Sequence, residues 1–265
     1  MGLKSDGTVV AVGMGFTDYG QCDVGSWARI TQVATGYSHT VGLKSDGAVV
    51  AVGYNAQGQC NVSSWTGITQ VSAGEFHTVG LRSNGTVVAV GDNYFGQCNV
   101  SSWTGITQVS AGSEHTVGLK SDGTVVTVGS NRYGQCNVSS WTGITQVSAD
   151  DSYTVGLKSD GTVVAVGDTS PGECNVGSWT GITQISAGFQ HTVGLKSDGT
   201  VVAVGMGFTD YGQCDVGSWT GITQVATGVF YTVGLKSDGT VVAVGDNYHK
   251  QCNVGDWNLL APCVE

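Results

Sequence analysis

Basic residues are scarce in this chain, which has ten lysines and arginines against twenty aspartates and glutamates, and a formal net charge of −10. Six of those ten are the lysines of one repeated motif. Proteins that bind nucleic acid through its phosphates need a clustered basic surface. We therefore expect no nucleic-acid partner for this protein.

Long apolar runs, proline and helical periodicity are also missing. No run approaches the roughly 20 apolar residues that span a bilayer, and the repeats begin at Gly2, so the sequence predicts a soluble chain with no signal peptide and no membrane partner. Two prolines beside 43 glycines fit many short strands joined by glycine turns, and not collagen or disorder. The sequence does not indicate a cellular compartment.

One motif, GLKSDGTVVAVG, organises the whole sequence. It recurs with small changes, at intervals of 38 or 40 residues, and starts at Gly2, Gly42, Gly80, Gly118, Gly156, Gly194 and Gly234. Two apolar runs flank an Asp-Gly or Asn-Gly pair, which favours a tight type I′ hairpin with positive φ at both residues. A fixed period of this length is typical of repeat arrays. Residues 1–265 are therefore predicted to form a single domain of seven repeats.

Each repeat contains four strand-like runs, which we name A to D. In the repeat that begins at Ile68 they read ITQVSA, HTVGLRS, TVVAVG and QCNV. Run C is apolar on both faces, as in a sheet that packs between two others. A closed ring of radially stacked sheets also leaves no exposed edge. The predicted fold is an all-β, seven-bladed β-propeller of four-stranded antiparallel blades.

The two chain ends favour a closed ring. The chain starts inside run B, so the first blade lacks run A. After Trp257 the repeated sequence is replaced by NLLAPCVE. Residues 259–264 are the remaining candidate for the missing strand. We expect this C-terminal segment to pair with the N-terminal blade, where Pro262 is tolerated because the strand lies at an edge.

The repeat resembles that of RCC1-type proteins. The resemblance rests on the elements G-x-x-H-T, L-x-x-D-G and N-x-x-G-Q at residues 112–116, 119–123 and 93–97, and it covers essentially the whole chain. It implies a seven-bladed propeller, in agreement with the repeat count. The short period is more similar to the bacterial members, which include a secreted protein inhibitor of β-lactamases. Members of the family share a scaffold and not a function.

The seven copies differ from one another in two places. The first is the residue pair before the His or Tyr that opens run B, and the second is the stretch after run C. In an antiparallel meander both connections emerge on the same side of the sheet. The variable residues are therefore predicted to share one face of the disc, while the near-constant KSDG and SSWTG turns occupy the other.

Most phenylalanines and tyrosines, and an excess of carboxylates, fall in these variable places. Aromatic side chains on a rigid frame suit protein recognition, because they bring contact area at low entropy cost, and the carboxylates favour a partner with a basic patch. The candidate partner-binding residues are Phe16, Tyr19, Tyr37, Tyr54, Glu75, Phe76, Tyr94, Phe95, Glu114, Arg132, Tyr133, Asp151, Phe189, Phe208, Tyr211, Phe230 and Tyr248. The leading prediction is a non-enzymatic, monomeric protein-binding scaffold, of which an inhibitor is one example.

Other interpretations stay open. One is that the aromatic residues only pack the loops, although packing roles normally repeat from blade to blade, as the tryptophan does. Another is a propeller that binds a small ligand or a glycan. A third is a structural or engineered array with no dedicated ligand, which the near-identity of residues 2–27 with residues 194–219 suggests.

No catalytic or metal-binding pattern is indicated. One repeated slot holds either histidine or tyrosine, which favours a hydrogen-bonding core role over acid–base chemistry. Its occupants are His39, His77, His115, Tyr153, His191 and Tyr231. Seven cysteines occupy one equivalent position per repeat, too far apart on a ring to form disulfides, so we expect reduced, buried thiols. No cluster with zinc-ligand spacing occurs, and no cofactor is expected.

Overall fold

The protein is built from β-strands. The computed structural model describes residues 1–13, 17–170, 172–205 and 210–260, which contain twenty strands. These strands form one two-stranded and six three-stranded antiparallel sheets. Within these ranges there is no helix, and so none that crosses a membrane. The prediction of an all-β fold is confirmed.

Each three-stranded sheet consists of runs A, B and C of one repeat, with B in the middle. The A strands are β3 (Ile30–Thr35), β6 (Ile68–Ala73), β9 (Ile106–Ala111), β12 (Ile144–Asp150), β15 (Ile182–Gly188) and β18 (Ile222–Thr227). The B strands are β4 (His39–Lys44), β7 (His77–Arg82), β10 (His115–Lys120), β13 (Tyr153–Lys158), β16 (His191–Lys196) and β19 (Tyr231–Lys236). The C strands are β5 (Val49–Gly53), β8 (Val87–Gly91), β11 (Val125–Gly129), β14 (Val163–Gly167), β17 (Val201–Val204) and β20 (Val241–Gly245). Blade 1 contains β1 (Gly2–Leu3) and β2 (Val9–Val10), and blades 2 to 7 follow in chain order.

The hairpin between strands B and C differs from the expected type I′ turn. In blade 2 the loop is closed by hydrogen bonds from Gly47 N to Lys44 O and from Lys44 N to Ala48 O, both 2.9 Å. Gly47 has a φ of 80°, whereas Asp46 does not have a positive φ. The loop is therefore the three-residue type in which a type I turn precedes a left-handed glycine. Asp46 stabilises it through its side chain, which accepts a hydrogen bond from Ala48 N (3.1 Å).

Run D is not a strand, so the six complete sheets have three strands and not the predicted four. Near Cys98 the chain makes successive turns, in which Asn99 N donates to Gly96 O and Val100 N donates to Cys98 O. The side chain of Asn93 accepts a hydrogen bond from Cys98 N (2.8 Å). Local partners thus occupy the backbone groups that a fourth strand would need for its ladder.

Neighbouring blades share their apolar cores. One buried cluster joins Val79 and Leu81 of blade 3 to Trp103 and Ile106 of blade 4, and equivalent clusters join the next pairs of blades. Trp103 also lies against Gly118 of its own blade, where an added Cβ would come within 2.7 Å of the ring. This close approach explains why a glycine interrupts an otherwise apolar strand.

Polar side chains also link each A strand to the next one. Gln70 pairs with both backbone groups of Val109, because its Nε2 donates to Val109 O (3.1 Å) and its Oε1 accepts from Val109 N (2.9 Å). Ser72 Oγ accepts from Ala111 N (3.0 Å). Equivalent glutamine bonds recur as far as blade 7. The A strands are therefore held side by side.

The chain end contacts blade 1, whose sheet has two strands within the described residues. An added Cβ at Gly2 would come within 2.9 Å of both Trp257 and Leu259, just as the glycines of the other blades approach their own tryptophan and isoleucine. Ser5 N donates a hydrogen bond to Leu259 O (2.9 Å). The predicted closure is therefore seen as far as the described chain extends. Residues 261–264 of the predicted closing strand lie outside the described residues.

Candidate functional site

The two variable sets of loops lie side by side. In blade 3, Asp92 follows strand C and donates its backbone N–H to the carbonyl oxygen of Phe76, which precedes strand B (2.8 Å). An equivalent bond of 2.8 Å joins Tyr54 to Ser38 in blade 2, and similar bonds occur in blades 4, 5 and 7. The two loops of each such blade therefore share one face, as the meander predicts. We call it the variable face.

Aromatic side chains on the variable face form two groups. These are Tyr19, Tyr37, Tyr54 and Phe76, and Phe189, Tyr211 and Phe230. Neighbouring ring centroids within the groups lie 4.9 to 6.4 Å apart, which is the usual range for interacting aromatic pairs. These rings pack on one another, so part of the surface of each ring is covered by its neighbours. The remaining ring surface is available for contact with a ligand.

Other predicted residues stand outside these two groups. Tyr94 and Tyr248 are 84% and 86% exposed. Arg132 and Tyr133 are also exposed, and Phe95 packs edge-on against Tyr94 with ring centroids 4.8 Å apart. These loops therefore present apolar area to solvent. Outside the described residues lie Phe16 and Phe208.

The variable loops surround a cavity of about 730 Å³ on the axis of the ring, which we call the axial pocket. The ends of all six described A strands line it, together with Met1 of blade 1. Tyr54 and Phe76 contribute from the first aromatic group, and Phe189 and Phe230 contribute from the second. The structure thus brings both aromatic groups to one concave site.

Carboxylates concentrate in one part of the axial pocket. Glu75, Asp150 and Asp151 line it. Burial is the main cause that raises the pKa of all three, to about 7 for Asp150, and the charges of Asp151 and Glu114 raise the pKa of Glu75 further. Asp150 was not predicted from the sequence. It replaces the glycine of the repeated SAG element, and that exception was the available signal.

Glu173 is a second carboxylate that the sequence analysis did not single out. It replaces the glutamine of the repeated GQC element, is 2% exposed, and has no hydrogen-bond partner for Oε2. In blade 3 the equivalent Gln97 donates from Nε2 to Asp92 (2.9 Å), whereas the matching residues here are two carboxylates, Glu173 and Asp168. Burial, with a contribution from the charge of Asp168, raises the pKa of Glu173 to about 7.

The repeated histidines are structural, as predicted. His39, His77 and His115 are at most 1% exposed, and each Nε2 lies 2.9 Å from a threonine Oγ1 of the next blade. Each of these threonines donates its own hydroxyl proton to a backbone carbonyl. The histidine must therefore donate from Nε2, and Nδ1 is left as an acceptor. Burial lowers the pKa of His77 to about 3, so these rings stay neutral.

The seven repeat cysteines are free, as predicted, but they are half-buried rather than buried. Each Sγ lies 2.8 to 3.4 Å from a backbone carbonyl oxygen. Burial raises their pKa, to about 12 for Cys174, so the thiols are protonated at neutral pH. In the described part of the chain, no three His, Cys, Asp or Glu side chains are placed to hold a metal ion.

Seven repeats whose sheets share their cores in sequence, with the chain end in contact with the first blade, define a seven-bladed β-propeller. The sequence pattern described as the "Regulator of chromosome condensation (RCC1) repeat" matches residues 30–59, 68–97, 106–135, 182–213 and 222–251. These matches cover more than half of the chain, which therefore belongs to the RCC1 repeat family. Residues 144–173 lie outside the matches, and this is the repeat that carries Asp150, Tyr153 and Glu173.

Several solved structures have a similar fold. Prp20p from Saccharomyces cerevisiae, described together with its binding to Gsp1p and histones, is 16% identical over 98% of this chain and 83% of its own, with a TM-score of 0.69. Human WBSCR16 is 18% identical over 88% and 80%, with a TM-score of 0.70. The ectodomain of the Physcomitrella patens receptor kinase CR4 is 19% identical over 84% and 66%, with a TM-score of 0.69. At these identities the likeness shows the fold alone. No curated protein matches the chain.

Proposed function

We propose that this propeller is a non-enzymatic scaffold that binds a protein partner on its variable face. One observation carries the proposal: most of the sequence divergence among the repeats lies in loops that meet on one face, around an acidic and aromatic pocket. The KSDG turns keep nearly the same sequence in every repeat. Folding alone does not require different loops on one side only, whereas recognition does.

The partner is expected to present a basic patch. Glu75, Glu114 and Asp151 lie on the variable face, and Arg132 is one of few cations there. Exposed tyrosines such as Tyr94 provide large apolar contact area beside these charges. Protein binding by the similarly folded Prp20p, whose structure is described with Gsp1p and histones, supports a partner of the same general class.

Matched variants test the proposal. The wild-type protein, a Tyr94→Ala/Tyr133→Ala variant of the variable face and a Lys120→Ala variant of the opposite face are immobilised and exposed to an extract of the source organism. Each retained protein is purified and its affinity is measured. We expect a partner whose affinity falls about thirty-fold in the tyrosine variant, as for the loss of about 2 kcal/mol, and stays unchanged in Lys120→Ala.

The charges are tested on the same partner. Replacement of Glu75 and Glu114 by lysine should weaken binding. At Glu114 it should slow association, and more so at low salt, because charges at the rim of an interface act by steering, whereas at Glu75, which lines the pocket, it should also speed dissociation. A partner whose affinity is unchanged in the tyrosine and glutamate variants, but is lost in Lys120→Ala, would place the interface on the opposite face. That result would contradict the proposal.

A further inference from the structure

We propose that the axial pocket binds one basic side chain, an arginine or a lysine, that the partner protein inserts along the axis of the ring. This inference rests on the proposed function and specifies the chemistry of the ligand. The pocket has a volume of about 730 Å³, which exceeds the volume of any single side chain, so the pocket accommodates the inserted group with its hydrating water.

The charged groups that line the pocket are mainly negative. Glu75 comes from blade 3, Asp150 and Asp151 come from blade 5, and Asp246 comes from the loop that follows blade 7. No lysine or arginine occurs among the described residues of the lining. The amino group of Met1 is also there, but burial lowers its pKa. An inserted cation would therefore meet carboxylates that no basic side chain of the lining neutralises.

These carboxylates are held in place by the surrounding polar groups. Asp151 N donates to Asp150 Oδ1 (2.7 Å), and Ser113 Oγ lies 3.5 Å from Asp151 Oδ1. Their burial and mutual repulsion oppose ionisation, which is why the pKa values of Glu75, Asp150 and Asp151 are raised. An opposite charge placed between them lowers a carboxylate pKa, so a bound cation would favour the ionised form of these carboxylates.

Aromatic rings supply the second part of the site. Tyr54 and Phe76 line the pocket from one aromatic group, and Phe189 and Phe230 line it from the other. Ring faces attract a cation through their quadrupole, and they also pack against the alkyl stem of a long basic side chain. An anion would be repelled by the carboxylates, and a purely apolar ligand would leave those carboxylates without a partner.

His39 supplies an unused hydrogen-bond acceptor in the wall of the pocket. Its Nε2 donates to Thr78, and its Nδ1 is buried with no partner, as in His77 and His115, but of these three histidines only His39 lines the pocket. Nδ1 lies beside Gly36, which also lines the pocket. A buried acceptor without a partner is costly. Guanidinium and ammonium groups carry donors only, so they are complementary to it.

The opposite end of the axis lacks this chemistry. A cavity of about 950 Å³ there is lined by the same threonine, glutamine and leucine of successive repeats, beginning with Thr69, Gln70 and Leu81. Among the residues that the structure describes, none that lines this cavity is charged or aromatic. A hole along the axis of the ring therefore does not by itself produce an acidic aromatic site. The variable loops produce it, through residues that differ between repeats.

Small amides test the pocket without a partner protein. Nα-acetyl-arginine amide and Nα-acetyl-lysine amide are titrated into the whole chain and followed by ¹H–¹⁵N NMR, with Nα-acetyl-norleucine amide as the uncharged control. We expect saturable shifts at residues 36–39, 74–76 and 150–152 with millimolar affinity for the two cations. The norleucine amide should bind at least ten-fold more weakly.

Charge-neutralising variants identify the groups responsible. Glu75→Gln and Asp150→Asn should each weaken binding of the arginine amide at least three-fold. Asp122→Asn, in a constant turn of the opposite face, should leave it unchanged. If Asp150→Asn does not fold, the half-buried Glu75 still decides the question.

Three results would each overturn the pocket assignment. They are the absence of saturable binding of the cationic amides, equally tight binding of the norleucine amide, and an affinity for the arginine amide that is the same in Glu75→Gln, Asp150→Asn and the wild type. The proposed function fails on a different result, since it is lost if no partner depends on Tyr94 and Tyr133. A partner that depends on those tyrosines but not on Glu75 or Asp150 would keep the variable face as the interface and remove the basic side chain from the pocket.

Discussion

His39, His77 and His115 are neutral in the folded protein, because burial lowers their pKa to about 4, 3 and 4. In the unfolded chain the pKa of histidine is about 6.5, so the unfolded state takes up protons first as the pH falls. The contribution of these residues is therefore complete above pH 6.5 and is lost between there and about pH 4. We expect the free energy of unfolding in urea to fall by on the order of 2 kcal/mol per histidine at pH 5.

His77→Tyr is the matched variant for this acid sensitivity. Tyr153 fills the same slot, and its hydroxyl donates to the carbonyl oxygen of His191 (2.6 Å), so the slot accepts a group that does not titrate near neutral pH. The fall in the free energy of unfolding between pH 7 and pH 5 should be about 2 kcal/mol smaller in the variant than in the wild type. An equal fall in the two proteins would contradict the prediction.

Glu173 should make the protein less stable as the pH rises, which is opposite to the effect of the histidines. Its folded-state pKa of about 7 lies above the unfolded value of about 4.3, so its protonated form is favoured by folding and stability is lost as the pH rises from about 4.3 to 7. Glu173→Gln restores a donor beside Asp168 and should raise the free energy of unfolding at pH 8 by about 1–3 kcal/mol. Denaturant unfolding at pH 5 and pH 8 measures the difference.

The reverse substitution provides the control for Glu173. Gln97→Glu places a carboxylate beside Asp92 and should create the same loss of stability above neutral pH. Gln135→Glu, where Ser130 occupies the position of that aspartate, should show a smaller loss. Equal losses in both variants would mean that burial alone, and not the second carboxylate, causes the effect.

At this scale the sequence predicted some roles and missed others. The histidine slot could be assigned because tyrosine fills the same slot in two repeats, and a slot shared by two such different groups is rarely catalytic. The importance of Asp150 and Glu173 could not be judged, because a substitution within a repeated element does not reveal which charges surround it. Some of those charges come from other blades, such as that of Glu75, in blade 3, near Asp150 of blade 5.

Among the elements, strand B depends on its central glycine. Gly118→Ala would place a Cβ 2.7 Å from the ring of Trp103, and overpacking of this kind typically costs about 1–3 kcal/mol. Gly177 has no atom within 4 Å of its added Cβ, so Gly177→Ala should change stability by no more than about 0.5 kcal/mol. Thermal unfolding of the two variants tests the expectation, and a similar loss in both would show that the tryptophan contact is not the cause.

The sequence predicted the strands well and the connections less well. Runs A, B and C were recognised because their apolar patterns are long enough to define a strand. The hairpin type was wrong, since the Asp-Gly signal is compatible with two loops, and in blade 2 Gly47 takes a positive φ whereas Asp46 does not. The prediction that run D forms a fourth strand was wrong. Asparagine side chains such as Asn93 accept hydrogen bonds from its backbone, so run D does not need a neighbouring strand as a partner.

At the scale of the whole molecule, ring closure depends on a few residues of the chain end. Leu259 contacts Gly2 and accepts a hydrogen bond from Ser5 N, whereas Leu260 is 54% exposed. Leu259→Ala should lower the free energy of unfolding by about 1–3 kcal/mol, because a half-buried leucine loses part of its packing. Leu260→Ala should cost about 0.5 kcal/mol or less. Urea unfolding of both variants distinguishes closure by Leu259 from a passive chain end.

The number of blades and the sharing of one face by the variable loops were both predictable, because repeat spacing and strand direction determine them. The axial pocket was not. Tyr54, Phe76, Phe189 and Phe230 lie far apart in the sequence, and only the curvature of the ring brings them around one cavity. The positions that vary between repeats therefore identified the variable face. They did not show which of its aromatic residues line the pocket and which, like Tyr94, are exposed around it.

The glutamine bonds between A strands also determine how the centre of the ring can be used. An A strand has one edge without a neighbouring strand, and such an edge normally invites an extended peptide to add as a further strand. Here the side-chain amide of Gln70 occupies both backbone groups of Val109, and Ser72 occupies the amide of Ala111. The inner edge is thus already capped within the molecule, which protects the ring from self-association by strand addition and leaves side-chain contacts as the means by which a ligand is held at the axis.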